Sequence, residues 1–427
     1  MKLNYKRTIL IGLAFLSISS FWQVYDNIIP LMLKNTFNMG ESLTGFVMSF
    51  DNILALFMLP VFGALSDKVD TRYGKRTPFI VFGTIASIIF MTFLPISDNL
   101  GNFPLFMVSL ILTLLALSTY RSPAVALMPD LTPKPLRSKG NAVINLMGAL
   151  GGVFALVLMT FFIPENSKPD YMIIFLPVSA LMVVCVVVLV LTIKEKKLRE
   201  EMHDSVFDEE DDSEEDDSGE NSTGNASRTG IKLPKEVFRS LVLILLSVAF
   251  WYMAYNAVTT AFSRYVQNYL GQGGGAFAGN LLLATVAAVI TFLPAGIIGS
   301  KIGRRKTILI GVVLMFAAFF VASFFTSYSS TLNILLVLIG IGWAMINVNS
   351  YPMVVEISKG SDIGRYTGYY YTFSMAAQVF TPILSGVLLE HVGYYTLFPY
   401  ACVFTAFAFC TMLFVRHGEA KKIEEVR

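Results

Sequence analysis

A series of long apolar runs constrains this chain more than any other feature. A helix that crosses a bilayer needs about 20 mostly apolar residues, and the chain holds twelve runs close to that length. They lie at residues 8–33, 43–65, 78–96, 104–128, 141–163, 171–192, 238–263, 276–299, 307–326, 331–353, 366–389 and 394–415. Since 55% of the residues are hydrophobic and 15% charged, the composition excludes an ordinary soluble protein, in which about 25% are charged. The runs predict an all-α membrane protein with twelve transmembrane helices.

A strongly acidic segment separates the sixth run from the seventh. Residues 208–220 contain ten acidic residues among thirteen positions. A block of like charges cannot bury an apolar core. We therefore expect a cytoplasmic, partly disordered linker at 193–237. It would join a six-helix bundle at 1–192 to a second six-helix bundle with a short cytoplasmic tail at 238–427.

The basic residues are distributed unevenly between alternate loops. If the N-terminus is cytoplasmic, 28 of the 32 Lys and Arg residues fall in cytoplasmic segments, and only Lys34 and Lys168 fall in outer loops. This asymmetry predicts a multi-pass protein of the cell membrane with both termini in the cytoplasm. Glycosylation sequons at Asn221 and Asn225 would then be inert. The net charge of +2 indicates no nucleic-acid partner.

The two halves of the chain resemble each other at an offset of about 230 residues. The matching segments are Phe21–Asp26 with Trp251–Asn256, Gly63–Arg76 with Gly296–Arg305, Ser122–Pro123 with Tyr351–Pro352, and Arg137 with Arg365. Matches in the same order favour a duplication, which predicts two pseudo-symmetric bundles as in transporters built from parallel repeats. The partner in the second half also favours a membrane helix at the first run over the alternative, a secretory signal.

Two segments carry a resemblance to a known family. The loop after the second run reads Gly63-Ala-Leu-Ser-Asp67-Lys68 and then Arg72-Tyr-Gly74-Lys-Arg76-Thr-Pro-Phe-Ile80. It resembles the loop motif of the major facilitator superfamily. Together with Ser122–Leu131, it is similar to segments of sucrose transporters and of glycoside, pentoside and hexuronide cation symporters.

The resemblance implies a secondary active transporter of a sugar or glycoside that works by alternating access. It also implies a cytoplasmic conformational lock formed by Gly63, Asp67, Arg72, Gly74 and Arg76. Because an acid is favoured at a helix N-terminus and the second copy has Ser300 in place of Asp67, we expect this lock in the first half alone.

Charged residues inside the runs are the strongest candidates for function, because each costs about 2.5–3.5 kcal/mol near the bilayer centre. Asp26 and Asp51 are the acids well inside the runs, and both would lie just outside the membrane centre. A carboxyl group in a low-dielectric site binds a proton more readily than in water, and a second carboxylate nearby strengthens this effect. The pair predicts a coupling site for H⁺ or Na⁺, although either acid could instead have a structural role.

The sequence departs from its relatives at this point. Melibiose-type symporters carry acids in helix 2 where this chain has Ala55 and Leu59, and plant sucrose transporters carry an acid in helix 4 where residues 111–117 have none. The coupling ion therefore stays open.

Aromatic and polar residues near these acids are typical of a sugar site, since a sugar ring offers apolar faces and hydroxyl groups. The first group, Trp22, Gln23, Tyr25 and Asn27, surrounds Asp26 on helix 1, and Trp251, Tyr252, Tyr255 and Asn256 repeat the arrangement on helix 7. The full set of candidate substrate-binding residues adds Arg121, Asn145, Asn347 and Gln378. Trp343 and Tyr369–Tyr371 are weaker candidates, and the aromatic residues could instead form interfacial belts. Arg121 could also pair with a carboxylate or act as a gate, and Arg264 is expected to reach the membrane surface from the end of its run.

The sequence predicts a transporter and no enzyme, since it shows no catalytic constellation and no phosphate-binding Walker sequence. We expect a monomer without cofactors other than the coupling ion. Cys185, Cys402 and Cys410 stand in apolar runs without metal-ligand spacing, and we interpret them as small core residues. Two alternatives stay open: a proton-coupled exporter of drugs or metabolites with the same fold, and a membrane sensor or scaffold without transport activity.

Overall fold

The protein is described by a computed structural model that defines residues 3–132, 136–165, 169–200, 234–357 and 363–418. Within these residues, twelve helical spans are long and apolar enough to cross a membrane. They are α1 (Tyr5–Asn35), α2 (Glu41–Lys68), α3 (Thr77–Leu100), α4 (Phe103–Asp130), α5 (Arg137–Phe162), α6 (Met172–Thr192), α7 (Lys235–Asn268), α8 (Ala276–Ile302), α9 (Arg304–Ala322), α10 (Thr331–Glu356), α11 (Ile363–His391) and α12 (Leu397–Leu413). The predicted all-α class and the number of helices are confirmed.

Helix α2 differs from the single run predicted at 43–65. It consists of two segments, Glu41–Met48 and Phe50–Lys68, which meet at Ser49. The Ser49 main-chain N–H donates back to the Gly45 carbonyl oxygen at 3.1 Å, and its hydroxyl donates to Phe46 at 2.7 Å. Because the second segment starts here, Asp51 lies in its first turn.

Glycines let α1 and α5 approach each other closely, as the cluster Gly148, Gly151 and Gly152 predicts. A Cβ atom at Gly151 would overlap the main-chain oxygen of Leu16, and one at Gly148 would touch the Ser19 hydroxyl. This packing fixes α1, which carries Asp26, against the first half.

Among the described residues, the main contacts between the two halves are α1 with α7, α5 with α8, and both segments of α2 with α11. Close main-chain approaches occur where α1 ends: a Cβ atom at Gly45 would overlap the carbonyl of Pro382, and one at Gly275 would overlap that of Met159. Since the predicted orientation places the end of α1 outside the cell, we refer to this as the outer end and to the opposite end as the inner end.

A buried group of charged residues, which we term the outer latch, joins the halves at the outer end. It consists of Glu41 and Lys34 from the first half and Arg264 and Tyr394 from the second. Arg264 Nε lies 2.9 Å from Glu41 Oε2, and the two side chains are 4% and 2% exposed. The Tyr394 hydroxyl donates to Glu41, and Lys34 Nζ lies 3.6 Å from it. The expectation that Arg264 reaches the membrane surface is therefore wrong, because its guanidinium is paired inside the protein.

Two further acids, Glu41 and Asp98, are buried within helices, just outside the predicted runs at 43–65 and 78–96. One other expectation fails in the described structure. Cys410 is exposed, whereas Cys185 and Cys402 are buried as predicted. The acidic segment 208–220 and the sequons at Asn221 and Asn225 lie outside the described residues, so the predicted linker and domain boundaries remain predictions.

Candidate functional site

Three charged residues from different helices form the centre of the candidate site. Asp26 on α1, Asp51 on α2 and Arg121 on α4 all interact electrostatically with one another. The neighbour of Arg121 fixes its helix in place, because the Tyr120 hydroxyl donates to the Ala14 carbonyl of α1 at 2.7 Å. The Asp51 carboxylate accepts a hydrogen bond from Asn52 Nδ2 at 2.8 Å. The fold thus brings together the three charges that the sequence singled out.

The aromatic face of α1 lies beside these charges. The Arg121 guanidinium lies over the Trp22 indole, 5.3 Å from the ring centre, and Trp22 packs edge-on against Tyr25 at 5.4 Å. The indole Nε1 of Trp22 is buried and has no hydrogen-bond partner among the described residues. A buried donor without a partner is costly, so this atom is a candidate contact for a ligand.

Two other α1 residues of the predicted site have structural contacts. Tyr25 is fully buried, and its hydroxyl donates to the Met48 carbonyl at 3.3 Å, next to the break in α2. Asn27 is also buried, and its Nδ2 donates to the Gln23 carbonyl at 2.9 Å. Tyr25 therefore positions α2 relative to α1 beside Asp26 and Asp51, and its role as a substrate contact stays a prediction.

The second half contributes an aromatic platform formed by Tyr252, Tyr255 and Trp343. Tyr255 stacks on Trp343 with ring centres 3.8 Å apart and planes 6° apart, and Tyr252 meets the same indole edge-on at 5.2 Å. Tyr255 interacts electrostatically with Asp26, so the platform faces the charged centre across the boundary between the halves. Trp343 was a weaker candidate in sequence because its partners lie almost 90 residues away on α7.

The remaining residues of the predicted site have varied positions. Trp251 is fully buried in the core, whereas Tyr252 and Tyr255 of the same helix contact Trp343, and the role of Trp251 in binding stays a prediction. Asn256 Nδ2 is buried and unpaired among the described residues, and Asn347 hydrogen-bonds Tyr252. Gln378 donates to the Ser374 carbonyl of its own helix at 3.2 Å, whereas Asn145 is exposed.

Tyr371 is a further residue that the tertiary structure brings to the site. It interacts electrostatically with Arg121 from the opposite half. Its neighbour Tyr370 hydrogen-bonds Tyr252 and Ser350, the latter at 2.9 Å. Tyr370 on α11 therefore links the aromatic platform, through Tyr252, to Ser350 on α10 by hydrogen bonds. In sequence, Tyr371 had only the signal of a tyrosine run.

At the inner end of the first half, Arg76 is the centre of a set of contacts that we term the first loop network. Its guanidinium donates to Asp67, to Asp130 Oδ2 at 2.8 Å and to the Gly63 carbonyl at 3.3 Å. Burial alone would lower the pKa of Arg76, but Asp130 and then Asp67 more than offset this and raise it above its usual value. The network therefore holds the ends of α2 and α4 at the start of α3.

Glu195, which the sequence did not indicate, completes the first loop network from beyond α6. Its carboxylate accepts hydrogen bonds from the main-chain N–H of Lys75 at 2.7 Å and of Thr77 at 2.9 Å. It thereby satisfies free N–H groups at the start of α3. Gly74 has φ +112°, and a Cβ atom there would overlap the Glu195 carboxyl group, so this position requires glycine.

Arg72, the remaining residue of the predicted lock, lies outside the first loop network. Its guanidinium stacks on the adjacent Tyr73 ring at 4.6 Å and donates to the Tyr73 hydroxyl. Arg76 is the arginine beside Asp67, and the role of Arg72 in the lock stays a prediction.

The second copy of this loop has ionic contacts of a different kind. Arg304 Nη1 lies 3.1 Å from Glu356 Oε1 at the end of α10, and Arg305 Nε donates to the Met412 carbonyl of α12 at 3.3 Å. The Ser300 hydroxyl donates within its own helix, to Ile297 at 2.8 Å. The acid at the Asp67 position is thus absent, as the sequence predicts, but a carboxylate and two main-chain carbonyls hold the arginines.

A cavity of about 690 Å³ lies at the outer end, away from the charged centre. Its lining includes Asn35, Glu165, Gln267 and Gly271–Gly274. Asn35 and Gln267 also join the halves through a hydrogen bond of 3.4 Å. The chemistry of Asp26, Asp51 and Arg121 is therefore not in this cavity.

Comparison with known proteins gives a family match and two short alignments. The model of the Major Facilitator Superfamily matches residues 10–290 and 278–427. The chain is 27% identical to a sucrose transport protein of Arabidopsis thaliana over 137 residues, which cover 28% of this chain and 23% of that protein. It is 32% identical to an MFS-type transporter of Metarhizium majus over 126 residues, which cover 29% and 27%. The chain thus aligns with about a quarter of the length of each of these relatives.

Solved structures with the same fold extend over nearly the whole chain. A xylose transporter from E. coli in an inward-open conformation superposes with a TM-score of 0.69 at 14% identity, covering 99% of this chain and 98% of that one. A D-xylose-proton symporter gives 0.70 at 15% identity, covering 97% and 98%, and a peptide transporter gives 0.71 at 14%, covering 96% and 93%. At these identities the likeness shows the fold alone, and the predicted fold class is confirmed.

Proposed function

Because the chain belongs to the Major Facilitator Superfamily, a family of transporters and not of enzymes, we propose that it carries a sugar or glycoside across the membrane. The coupled ion would be H⁺ or Na⁺. One observation carries the proposal: Trp22 from one half and the Tyr255–Trp343 platform from the other lie beside the charges of Asp26, Asp51 and Arg121. The short match to a sucrose transport protein supports a sugar.

The chemistry of the site suits a neutral, hydroxyl-rich ligand. Aromatic faces would pack against the apolar C–H face of a sugar ring, and the carboxylates and Arg121 would hydrogen-bond its hydroxyls. The unpaired donors Trp22 Nε1 and Asn256 Nδ2 would gain partners on binding. An anionic ligand is disfavoured, because two carboxylates already outnumber the one guanidinium.

The same excess of negative charge supports coupling to a cation. With Asp26, Asp51 and Arg121 all ionised, the centre has one uncompensated negative charge. In a low-dielectric site this charge favours uptake of a proton or a sodium ion. Binding of the cation and of the substrate at the boundary between the halves would then let them move together.

The contacts between the halves support one particular state of the transport cycle. The outer latch and the close glycine contacts hold the halves together at the outer end, whereas the loop networks at the inner end hold helices within each half. If the N-terminus is cytoplasmic, this is the state open to the cytoplasm. Transport would require the outer latch to open.

The test is uptake of a labelled disaccharide into vesicles that contain the purified protein. We expect accumulation under an inward proton gradient or an inward sodium gradient, and we expect Asp26→Asn and Asp51→Asn to abolish it. Glu236→Gln, an exposed acid at the start of α7, is the matched control and should transport normally. Exchange of sugar without a gradient separates the two roles, because a coupling variant still exchanges and a binding variant does not.

Other outcomes assign other functions. Since a peptide transporter has the same fold, a labelled dipeptide is assayed in parallel, and its accumulation in place of the sugar would refute the sugar assignment. Substrate-driven efflux of lipophilic cations would identify an exporter. Sugar binding without transport in either direction would identify a sensor.

A further inference from the structure

A cavity of about 420 Å³ lies at the inner end of the first half, beside the first loop network. It is formed by the loop between α2 and α3 and by the chain that follows α6. Its polar lining includes Arg72, Tyr73, Lys194, Glu195, Lys196 and Lys197. The side-chain contacts described for the charged centre and for the first loop network involve none of the three lysines and not Arg72.

The cavity has a surplus of positive charge. Four cations line it, together with the acids Glu195 and Glu200. The Glu195 carboxylate is buried and already accepts main-chain hydrogen bonds from Lys75 and Thr77. Lys194 is exposed and Lys196 half-buried, and neither forms an ion pair with a described residue.

The cavity lies at the level where the edge of the bilayer is expected. Helix α6 is apolar until Thr192, and Leu191 on its surface is 74% exposed, as a side chain in contact with lipid tails would be. Lys194 follows two residues after the end of this helix, which places it within a few ångströms of the apolar boundary. Tyr73 is also exposed, and tyrosine is enriched at membrane interfaces.

We propose that this cavity binds the anionic phosphate headgroup of a membrane lipid. Arg72 presents a planar fork suited to phosphate oxygens, and the lysines supply mobile point charges. Basic pockets beside transmembrane helices on the cytoplasmic side are suited to anionic headgroups, and the predicted orientation places the cavity on that side. A lipid is favoured over a soluble anion because Val190 and Ile193 also line the cavity and would contact the lipid's glycerol and upper acyl groups.

The headgroup would bind directly over the first loop network. Glu195 lines the cavity and also fixes the main chain around Arg76. A headgroup held by Arg72 and the lysines would therefore restrain both chain segments that Glu195 connects. We expect the bound lipid to stabilise this network.

The test uses the full-length protein purified in neutral detergent. Its thermal unfolding midpoint is measured during titration with dioctanoyl phosphatidylglycerol, with dioctanoyl phosphatidylcholine, or with glycerol 3-phosphate. We expect saturable stabilisation by the anionic lipid, and much weaker effects of the zwitterionic lipid and of the soluble phosphate. Because charged contacts at a surface are screened, the apparent affinity should fall as salt is added.

The matched variants remove equal charge from two places. Lys194→Gln, Lys196→Gln and Lys197→Gln together should weaken binding about 100-fold, from about fivefold for each cation. The control is Lys235→Gln, Lys301→Gln and Lys306→Gln, three exposed lysines at the inner end of the second half, and it should keep the wild-type affinity. All six positions are at the surface or partly exposed, and size-exclusion chromatography verifies that both proteins are folded.

Several results would overturn the proposal. Equal stabilisation by phosphatidylcholine would mean that the charge of the headgroup is not recognised. Glycerol 3-phosphate that binds as tightly as the lipid would assign the cavity to a soluble anion. An equal loss of affinity in both triple variants would show that the lipid binds to the positive charge of the inner surface in general and not in this cavity.

Discussion

Buried charged residues have different structural roles at the two ends of the helix bundle. At the outer end, Glu41 and Arg264 come from different halves and are nearly inaccessible, with 2% and 4% of their side chains exposed. At the inner end, Arg76 is almost as buried, at 7%, but its partners Asp67 and Asp130 belong to its own half. The outer contact must break when the halves separate there, whereas the inner network can stay intact while its half moves as a unit.

The two inner loops, whose sequences match in the two halves, also differ in their contacts. In the first half, carboxylates hold Arg76 and the main chain at the start of α3. In the second half, Arg305 binds carbonyl groups at the end of α12, and the Arg304–Glu356 pair is 23% and 42% exposed. Glu195 thus places an anion at a helix N-terminus in the first half, whereas Arg305 places a cation at a helix C-terminus in the second, and both are favourable to the helix dipole.

The largest expected effect breaks the outer latch. Arg264→Ala leaves Glu41 buried without its main partner, which should destabilise the closed outer end by about 3–5 kcal/mol. The measurement is thiol labelling of Thr44→Cys, a fully buried position in the first segment of α2, in a Cys410→Ser background. We expect labelling to accelerate at least about 100-fold.

The control for this experiment is Lys34→Gln. Lys34 Nζ lies 3.6 Å from Glu41 and is 33% exposed, so its loss should cost less than about 1 kcal/mol. Equal labelling rates in the two variants would contradict the assignment of Arg264 as the main partner of Glu41.

A second experiment compares the duplicated arginines of the inner loops. Arg76→Ala leaves the carboxylates of Asp67 and Asp130 without their cation. Because these carboxylates are partly exposed, we expect the free energy of unfolding to fall by about 2–4 kcal/mol. Arg305→Ala removes hydrogen bonds to main-chain carbonyls and should cost about 1 kcal/mol. Chemical denaturation in detergent measures both. An equal or greater loss for Arg305→Ala would show that the loops contribute alike.

The smallest expected effect compares two acids that hold these loops. Glu195→Gln replaces the carboxylate that accepts several hydrogen bonds at the start of α3. We expect the free energy of unfolding to fall by about 1–3 kcal/mol. Glu356→Gln removes half of an exposed pair and should cost less than about 0.5 kcal/mol. The same denaturation assay distinguishes them, and a Glu195→Gln protein as stable as wild type would exclude Glu195 from the first loop network.

Much of the fold could be predicted because the signals are local. Twelve apolar runs and the glycines of α5 follow from length and residue size along the chain, and the Asp67–Arg76 loop was found by its resemblance to a family motif. Asp26, Asp51 and Arg121 stood out because charge inside an apolar run is costly wherever the run lies. Glu195 and Glu41 could not be found in this way, and Trp343 was only a weaker candidate, since their partners are distant in sequence.

The direction of individual side chains was the second feature that could not be predicted from the sequence. Trp251 and Tyr25 carry the same residue signal as Trp22 and Tyr255, but they point into the core. A shift of one position on a helix rotates a side chain by about 100°, and the neighbours that decide which face is buried come from other helices.

The sequence by itself therefore determined a twelve-helix membrane protein, its duplication, its loop motif and the three charges inside the bilayer. Hydropathy and the cost of a buried charge are properties of a residue and its nearest neighbours, so they can be read along the chain. Only the tertiary structure decided that Arg264 joins Glu41, that Trp343 stacks on Tyr255 and that Glu195 completes the loop around Arg76. Those contacts depend on how the helices pack, because a hydrogen bond or a ring contact forms only between groups that the fold brings within a few ångströms.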